Sequence, residues 1–151
     1  MKIIVASDHA GFKLKMHVKK YLEDKGYSVK DMGTFSEERS NWAEYGAKAA
    51  KIVSNDPGNS LGIIICGSGI GMSMVSNKFK NVRAALCNDE YSAEMSRKHN
   101  NANVLNMGAR IVSEEKAEKI VDVWLSTPFE GGRHAVRLEF MADKIENINF
   151  K

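Results

Sequence analysis

Leu61-Gly62-Ile63-Ile64-Ile65-Cys66-Gly67-Ser68-Gly69-Ile70-Gly71 is the stretch that decides the fold. Its first half is an almost unbroken apolar run rich in β-branched residues, the pattern of a strand buried on both faces of a parallel sheet. Its second half is rich in glycine, which lets the backbone turn sharply and expose its N–H groups, and a helical pattern follows. A thiol is therefore expected at the carboxyl end of a strand, at the mouth of an anion-binding nest and beside a helix N-terminus. Ligands of open α/β sheets bind at that end. The helix dipole favours a thiolate there, so Cys66 is a candidate base or nucleophile.

Outward from this stretch, strand and helix patterns alternate along the whole chain. Strands are expected at Ile3 to Ala6, Tyr27 to Met32, Leu61 to Cys66, Val82 to Leu86 and Val104 to Asn106. Leu14, Val18, Tyr21 and Leu22 share one face of a first helix, and Trp42, Tyr45, Ala49, Ile52 and Val53 stripe a second. Shorter helices are expected from Ile70 to Asn77 and from Tyr91 to His99. Ser113 caps a strong helix, with Glu114 and Glu115 in its first turn, a face of Ala117, Ile120, Val121, Trp124 and Leu125, and Pro128 as its stop. After the turn Phe129-Glu130-Gly131-Gly132, Arg133 to Phe150 reads as a last helix with Leu138, Met141, Ile145 and Ile148 on one side.

Five strand–helix units imply one α/β domain over residues 1–151: three layers, α/β/α, around a five-stranded parallel Rossmann-like sheet plus a C-terminal helix. No strand follows the last helix, which is expected to lie across the sheet or reach a partner chain. Strand order does not follow from the sequence.

Composition narrows the class. With 151 residues, 43 % hydrophobic and 27 % charged, the chain has enough apolar material for a single core and is not a disordered polymer. A net charge of +3, spread without a basic block, does not suggest nucleic acid as a partner. The two cysteines, Cys66 and Cys87, form no Cys-x-x-Cys pair and no metal-ligand spacing. No metal is expected, and a reducing, cytoplasmic compartment is the default. The N-terminus meets Asp8 too early for a signal peptide, and no apolar run suits a membrane helix.

Site residues should collect at the strand ends. Besides the Cys66 loop, these carry Ser7-Asp8-His9-Ala10-Gly11 after the first strand, and His99-Asn100-Asn101 and Gly108-Ala109-Arg110 around the fifth. The Gly131-Gly132-Arg133-His134 turn adds Arg133, His134 and, one helical turn on, Arg137. Paired guanidiniums beside a Gly-Gly turn suit a phosphate, although a solvated face is the simpler reading. Asp8 alone is as easily a helix cap, and His9 and His99 alone are as easily structural. Cys87, Met72, Met74 and Met95 read as core filling.

Three sharper motifs fit poorly. A dinucleotide fingerprint is matched by Gly67 and Gly69, but its third position is Met72. A low-molecular-weight tyrosine phosphatase would want its phosphate-gripping arginine at that same Met72. The nucleophile elbow of a serine hydrolase is met only in part around Ser68.

Four segments together resemble one family. Ser7-Asp8-His9-Ala10-Gly11, Ile65-Cys66-Gly67-Ser68-Gly69-Ile70-Gly71, His99-Asn100-Asn101-Ala102-Asn103-Val104-Leu105 and Glu130-Gly131-Gly132-Arg133-His134 are similar, in register from Met1 to about Ile148, to the type B ribose-5-phosphate isomerases and their galactose-6-phosphate and allose-6-phosphate relatives. The resemblance implies an aldose–ketose isomerase that works through an enediolate without cofactor. It implies that Cys66 is the base between C1 and C2, that Asp8 shuttles protons at the sugar oxygens, and that Ser68 with the amides of Gly67, Gly69, Ile70 and Gly71 holds the enediolate. It further implies that His99 assists furanose opening with Asn100 nearby. His9, Arg133 and Arg137, with Arg110 from a second chain, would grip the phosphate in sites shared across a homodimer or tetramer. Elementary chemistry agrees, since a preorganised donor at a developing oxyanion is worth about 3–4 kcal/mol.

Asn41-Trp42-Ala43 stands where the family often has Asp-Tyr-Pro, and Asn101 and Ser68 stand where Asp and Thr are common. The first two departures bear on the sugar more than on the reaction. Ribose 5-phosphate and ribulose 5-phosphate are the expected pair. A six-carbon sugar phosphate, allose 6-phosphate or galactose 6-phosphate, or phosphosugar binding without turnover, are the alternatives.

Overall fold

In the computed structural model, which describes residues 1–149, strands and helices alternate as β1 (Lys2–Ser7), α1 (Phe12–Asp24), β2 (Ser28–Asp31), α2 (Trp42–Asn55), β3 (Ser60–Cys66), α3 (Ile70–Ser76), β4 (Ala84–Leu86), α4 (Glu90–Asn100), β5 (Val104–Gly108) and α5 (Glu114–Ser126). They are followed by α6 (Arg133–Phe140), a wider π-type segment (Met141–Glu146) and a last short turn, α7 (Asn147–Asn149). Phe150, the end of the expected final helix, lies outside the described residues. Among those residues no helix is long and apolar enough to cross a membrane.

The five strands form one parallel sheet in the order β2-β1-β3-β5-β4. β1 and β3 are neighbours, yet the chain leaves them toward opposite edges, so a crevice opens between their carboxyl ends. Register brings those ends level: Ser7 pairs with Ile65, and Cys66 pairs with Gly108.

Side chains alternate across the sheet, as the pleat requires. Ile3, Val5, Ile63, Ile65, Leu105 and Met107 pack beneath α1, α4 and α5, where Trp124 is fully buried. Ile4, Ala6, Ile64, Cys66 and Val104 face α2 and α3, against Ala49, Val53 and Met72. Both faces are covered, which is why β3 reads as a continuous apolar run. Helices begin where side chains can accept orphan amides: Asn41 Oδ1 from Ala43, Asp89 Oδ1 from Ser92, and Ser113 Oγ from Lys116, at 3.0, 2.7 and 3.1 Å.

Several expectations are corrected. Trp42 does not join the core stripe of α2. It starts the helix and stays partly exposed, while Gly46, Ala49, Ala50 and Val53 fill the buried face. Met74 points outward, 61 % exposed, whereas Met72 and Cys87 are core as expected. The final helix is not uniform: after Phe140 it widens, and the Asn147 amide reaches back five residues to the Ala142 carbonyl. Met141, Ile145 and Ile148 on that segment are exposed.

Lys15 was hidden in the periodicity of α1. Its side chain is completely buried, with Nζ 2.7 Å from Asp31 Oδ1 and 2.5 Å from the Thr34 carbonyl. Burial pushes the ammonium below its ordinary lysine value, against the pull of Asp31. Asp31 Oδ1 also accepts the Gly33 N–H at 2.9 Å. The pair thus ties α1 to the segment that leaves β2 and runs over the crevice. Removing one partner leaves a buried, unpaired charge. Lys15→Met is expected to cost about 3–5 kcal/mol, and adding Asp31→Asn is expected to restore most of it. Urea unfolding of the single and double variants checks this.

Candidate active site

Three loops converge on the crevice. After β1, the Asp8 amide donates to the Ile65 carbonyl (3.3 Å), and Asp8 Oδ1 accepts the Gly11 N–H (3.0 Å), closing the turn into α1. A Cβ on Gly11 would sit 2.5 Å from the Ile65 carbonyl oxygen, so only glycine lets this turn come so close to the end of β3. The β5 loop is tied to the same strand end: the Ala109 amide donates to Cys66 O (2.8 Å) and the Arg110 amide to Gly67 O (3.0 Å). Together they form a cleft of about 350 Å³ lined by Asp8, His9, Trp42, Cys66, Ser68 and Arg110, with Gly67, Gly71, Ala10 and Ile111 completing it.

Cys66 is 5 % exposed, and its Sγ accepts the Gly69 N–H at 3.1 Å. The sulfur is thus held by a backbone amide where it borders the cleft. Gly69 makes this contact by adopting the left-handed conformation, φ +78°. Ser68 Oγ accepts the Ile70 N–H at 3.3 Å. The Gly69 and Ile70 amides are therefore already engaged within the loop, and neither residue lines the cleft, although both were expected to face a ligand. Gly67, Ser68 and Gly71 do line it. Gly71 lies in the first turn of α3, where helix geometry provides no intrahelical acceptor for its N–H.

The walls carry the charge and the shape. His9 Nδ1 accepts the Ser40 N–H (3.2 Å), while the His9 amide donates to Ser40 Oγ (3.0 Å). A neutral His9 therefore carries its proton on Nε2. The Arg110 guanidinium lies against Gly67, where a Cβ would come within 3.3 Å of Nη1. Arg110 of the same chain thus stands beside Cys66. The Trp42 indole packs over Gly71, 2.9–3.1 Å from where a Cβ would be. Ser40 belongs to no motif that would mark it, and Trp42, which fits both the α2 stripe and the Asn41-Trp42-Ala43 departure expected to bear on the sugar, lines the cleft. The Asn41 cap beside it was the available signal that this side chain sits at an element's edge.

His99, Asn100, Arg133 and Arg137 do not line this cleft. His99 and Asn100 end α4, Arg133 begins α6, and both arginines are exposed. Here the His99 and His134 rings stack, with centroids 4.3 Å apart and planes 14° from parallel. Glu130 joins them, the three offering ligand atoms within 4.8 Å of one another. Near-parallel rings direct their in-plane lone pairs side by side, so the trio does not converge on a single ion as a metal site requires.

With this geometry in hand, comparison with known proteins is direct. Residues 3–141 match the family model described as Ribose/Galactose Isomerase. Ribose-5-phosphate isomerase B of Escherichia coli is 44 % identical over 138 residues, covering 91 % of this chain and 92 % of that protein. The solved structure of ribose-5-phosphate isomerase B from Clostridium thermocellum superposes with a TM-score of 0.93 at 41 % identity, covering 98 % of this chain and 99 % of the other. That of the Mycoplasma genitalium enzyme, with bound ribulose 5-phosphate, gives 0.92 at 38 % identity and covers 95 % of each chain. Sheet, cleft and similarity along nearly the whole length agree, and the chain belongs to the ribose/galactose isomerase family.

Proposed function

We propose that this chain is an aldose–ketose isomerase that interconverts ribose 5-phosphate and ribulose 5-phosphate. The observation that carries the reading is Cys66 Sγ at the cleft, with the Gly69 N–H on the sulfur and Asp8 and Ser68 lining the same space. The Cys66 thiolate takes the C2 proton of the open-chain aldose. The electron pair forms the C1=C2 bond, and the C1 oxygen becomes an oxyanion facing Ser68 and the Gly71 amide. Asp8 carries the proton of the C2 hydroxyl to the C1 oxygen. Cys66 returns its proton to C1, leaving the C2 carbonyl. His9, through Nε2–H, and Arg110 hold the phosphate, and this remote grip keeps the reacting carbons in place. Two free cysteines suit a reducing compartment, the cytoplasm.

The rest of the expected site is completed by a second copy of the chain. His99, which opens the furanose ring, Asn100, and the phosphate-binding pair Arg133 and Arg137 lie away from the Cys66 cleft of their own chain. The helix bearing the arginines also exposes Val136, Phe140, Met141, Ile145 and Ile148, an apolar surface suited to burial between copies. A homodimer places one chain's arginines over the other's cysteine.

Cys66→Ala is expected to lower kcat about 10²–10⁴-fold with little change in KM, and to abolish exchange of solvent deuterium into C1 and C2. Near-normal exchange would remove Cys66 as the base. Arg133→Ala or Arg137→Ala is expected chiefly to raise KM, because the phosphate is not a reacting group; steady-state kinetics with ribose 5-phosphate reads this. Cys66→Ala and Arg137→Ala chains, unfolded together, refolded as a mixture and assayed at ribose 5-phosphate far below the raised KM of Arg137→Ala, are expected to be more active than either chain alone. A mixture no more active than its parts would place the whole site on one chain.

A further inference from the structure

His134 has no task in the reaction above, yet its setting is unusual. It lies in the first turn of α6 and is 6 % exposed, while Arg133, Val136 and Arg137 around it are open to solvent. Its ring covers one face of the His99 ring, with centroids 4.3 Å apart and planes within 14° of parallel. The turn that delivers it is fastened beside its target: the Glu130 amide donates to the Lys98 carbonyl at 3.1 Å, and the His134 amide to Gly131 O at 3.1 Å. Among the described residues His134 Nε2 is buried without a hydrogen-bond partner, its nearest carboxylate being Glu130 at 3.8 Å. An unpaired buried polar atom is destabilising. Leucine would fill the space without that cost, so packing alone does not account for the residue. What the imidazole offers and leucine lacks is a flat face.

We propose that His134 is a positioning residue, whose buried ring holds the His99 imidazole in the orientation from which it passes a proton to the ring oxygen of a closed pentose phosphate. This rests on the reading of His99 as the ring-opening group. In that step the C1–O4 bond breaks, its electron pair goes to O4, and O4 takes a proton from His99. The anomeric hydroxyl releases its proton through water, which recharges His99 and leaves the C1 aldehyde. A histidine at the end of α4 with one face unsupported would sample several rotamers, and the stack removes that freedom. Burial, then the charges of His99, Arg133 and Arg137, push the His134 imidazole below the usual histidine range, with Glu130 opposing. That direction favours the uncharged form of the supporting ring.

Ribulose 5-phosphate cannot close to a furanose, because its 5-oxygen carries the phosphate, so only the aldose needs ring opening. A chain that has lost this step can use ribose 5-phosphate only as fast as the sugar opens in solution. Its initial rate then levels off as enzyme is added, whereas a general loss of activity leaves the rate proportional to enzyme. The test measures rate against enzyme concentration in both directions for wild type, His99→Ala, His134→Leu and His134→Phe, with His134→Met as a second filling variant if leucine's branch does not fit.

With ribose 5-phosphate, His134→Leu and His99→Ala are expected to bend to a common ceiling, about tenfold below wild type at the highest enzyme. Both stay proportional with ribulose 5-phosphate. His134→Phe, which keeps a flat face, is expected to follow wild type. A proportional His134→Leu beside a levelling His99→Ala would overturn the role of His134 and leave that of His99 standing. A proportional His99→Ala would remove the ring-opening reading, and the role of His134 with it. A His134→Phe that levels off like leucine would overturn stacking as the cause.

Discussion

The parallel pairing of β1 with β3 is the constraint from which the cleft follows. Because the chain leaves these neighbours toward opposite edges, no helix can roof the gap between their carboxyl ends. The register then delivers Asp8, the Cys66 loop and, through β5, Arg110 to one level. The gap is narrow only because Gly11 lets the first turn touch the Ile65 carbonyl. Local backbone geometry thus sets the distance between an acid and a thiol that lie far apart in sequence.

Two kinds of support surround that cleft. One is backbone: amides that close turns, aim at sulfur or brace a serine, all rigid because they belong to strand ends and a helix start. The other is a chain of side-chain contacts. Buried Lys15 ties down Asp31 and the Thr34 carbonyl, the segment continues to Ser40, and Ser40 orients His9. The stability of α1 and the orientation of the His9 imidazole at the cleft are therefore linked through one continuous stretch of loop.

Most of the architecture was legible because apolar runs and helical spacing are local signals. β3 and α5 declared themselves through an isoleucine run and a Ser-Glu-Glu start. What stayed hidden was set by contacts distant in sequence. Strand order depends on which crossovers cover which face. Lys15 sits at a helical position that the spacing of Leu14, Val18 and Leu22 does not distinguish as buried. Trp42 satisfies the helical stripe in register but lies at the very first position of α2, where the helix overhangs the crevice rather than the core. The π-type widening after Phe140 has no proline or glycine to announce it. For the site, the four motifs marked Cys66, Asp8, His99 and Arg133 as chemistry-bearing, but their division into two groups on one chain appears only in three dimensions.

The sheet itself ends in short borders: β2 has four residues, with exposed Lys30 among them, and β4 has three. Borders this brief, one of them charged, are poor templates for strand-by-strand accretion between molecules. The backbone ladder consequently offers little to a second copy, and the exposed apolar side chains of α6, Val136 and Phe140, offer more. Where such faces meet about a two-fold axis, the contact stops at a defined number of copies instead of propagating into fibrils.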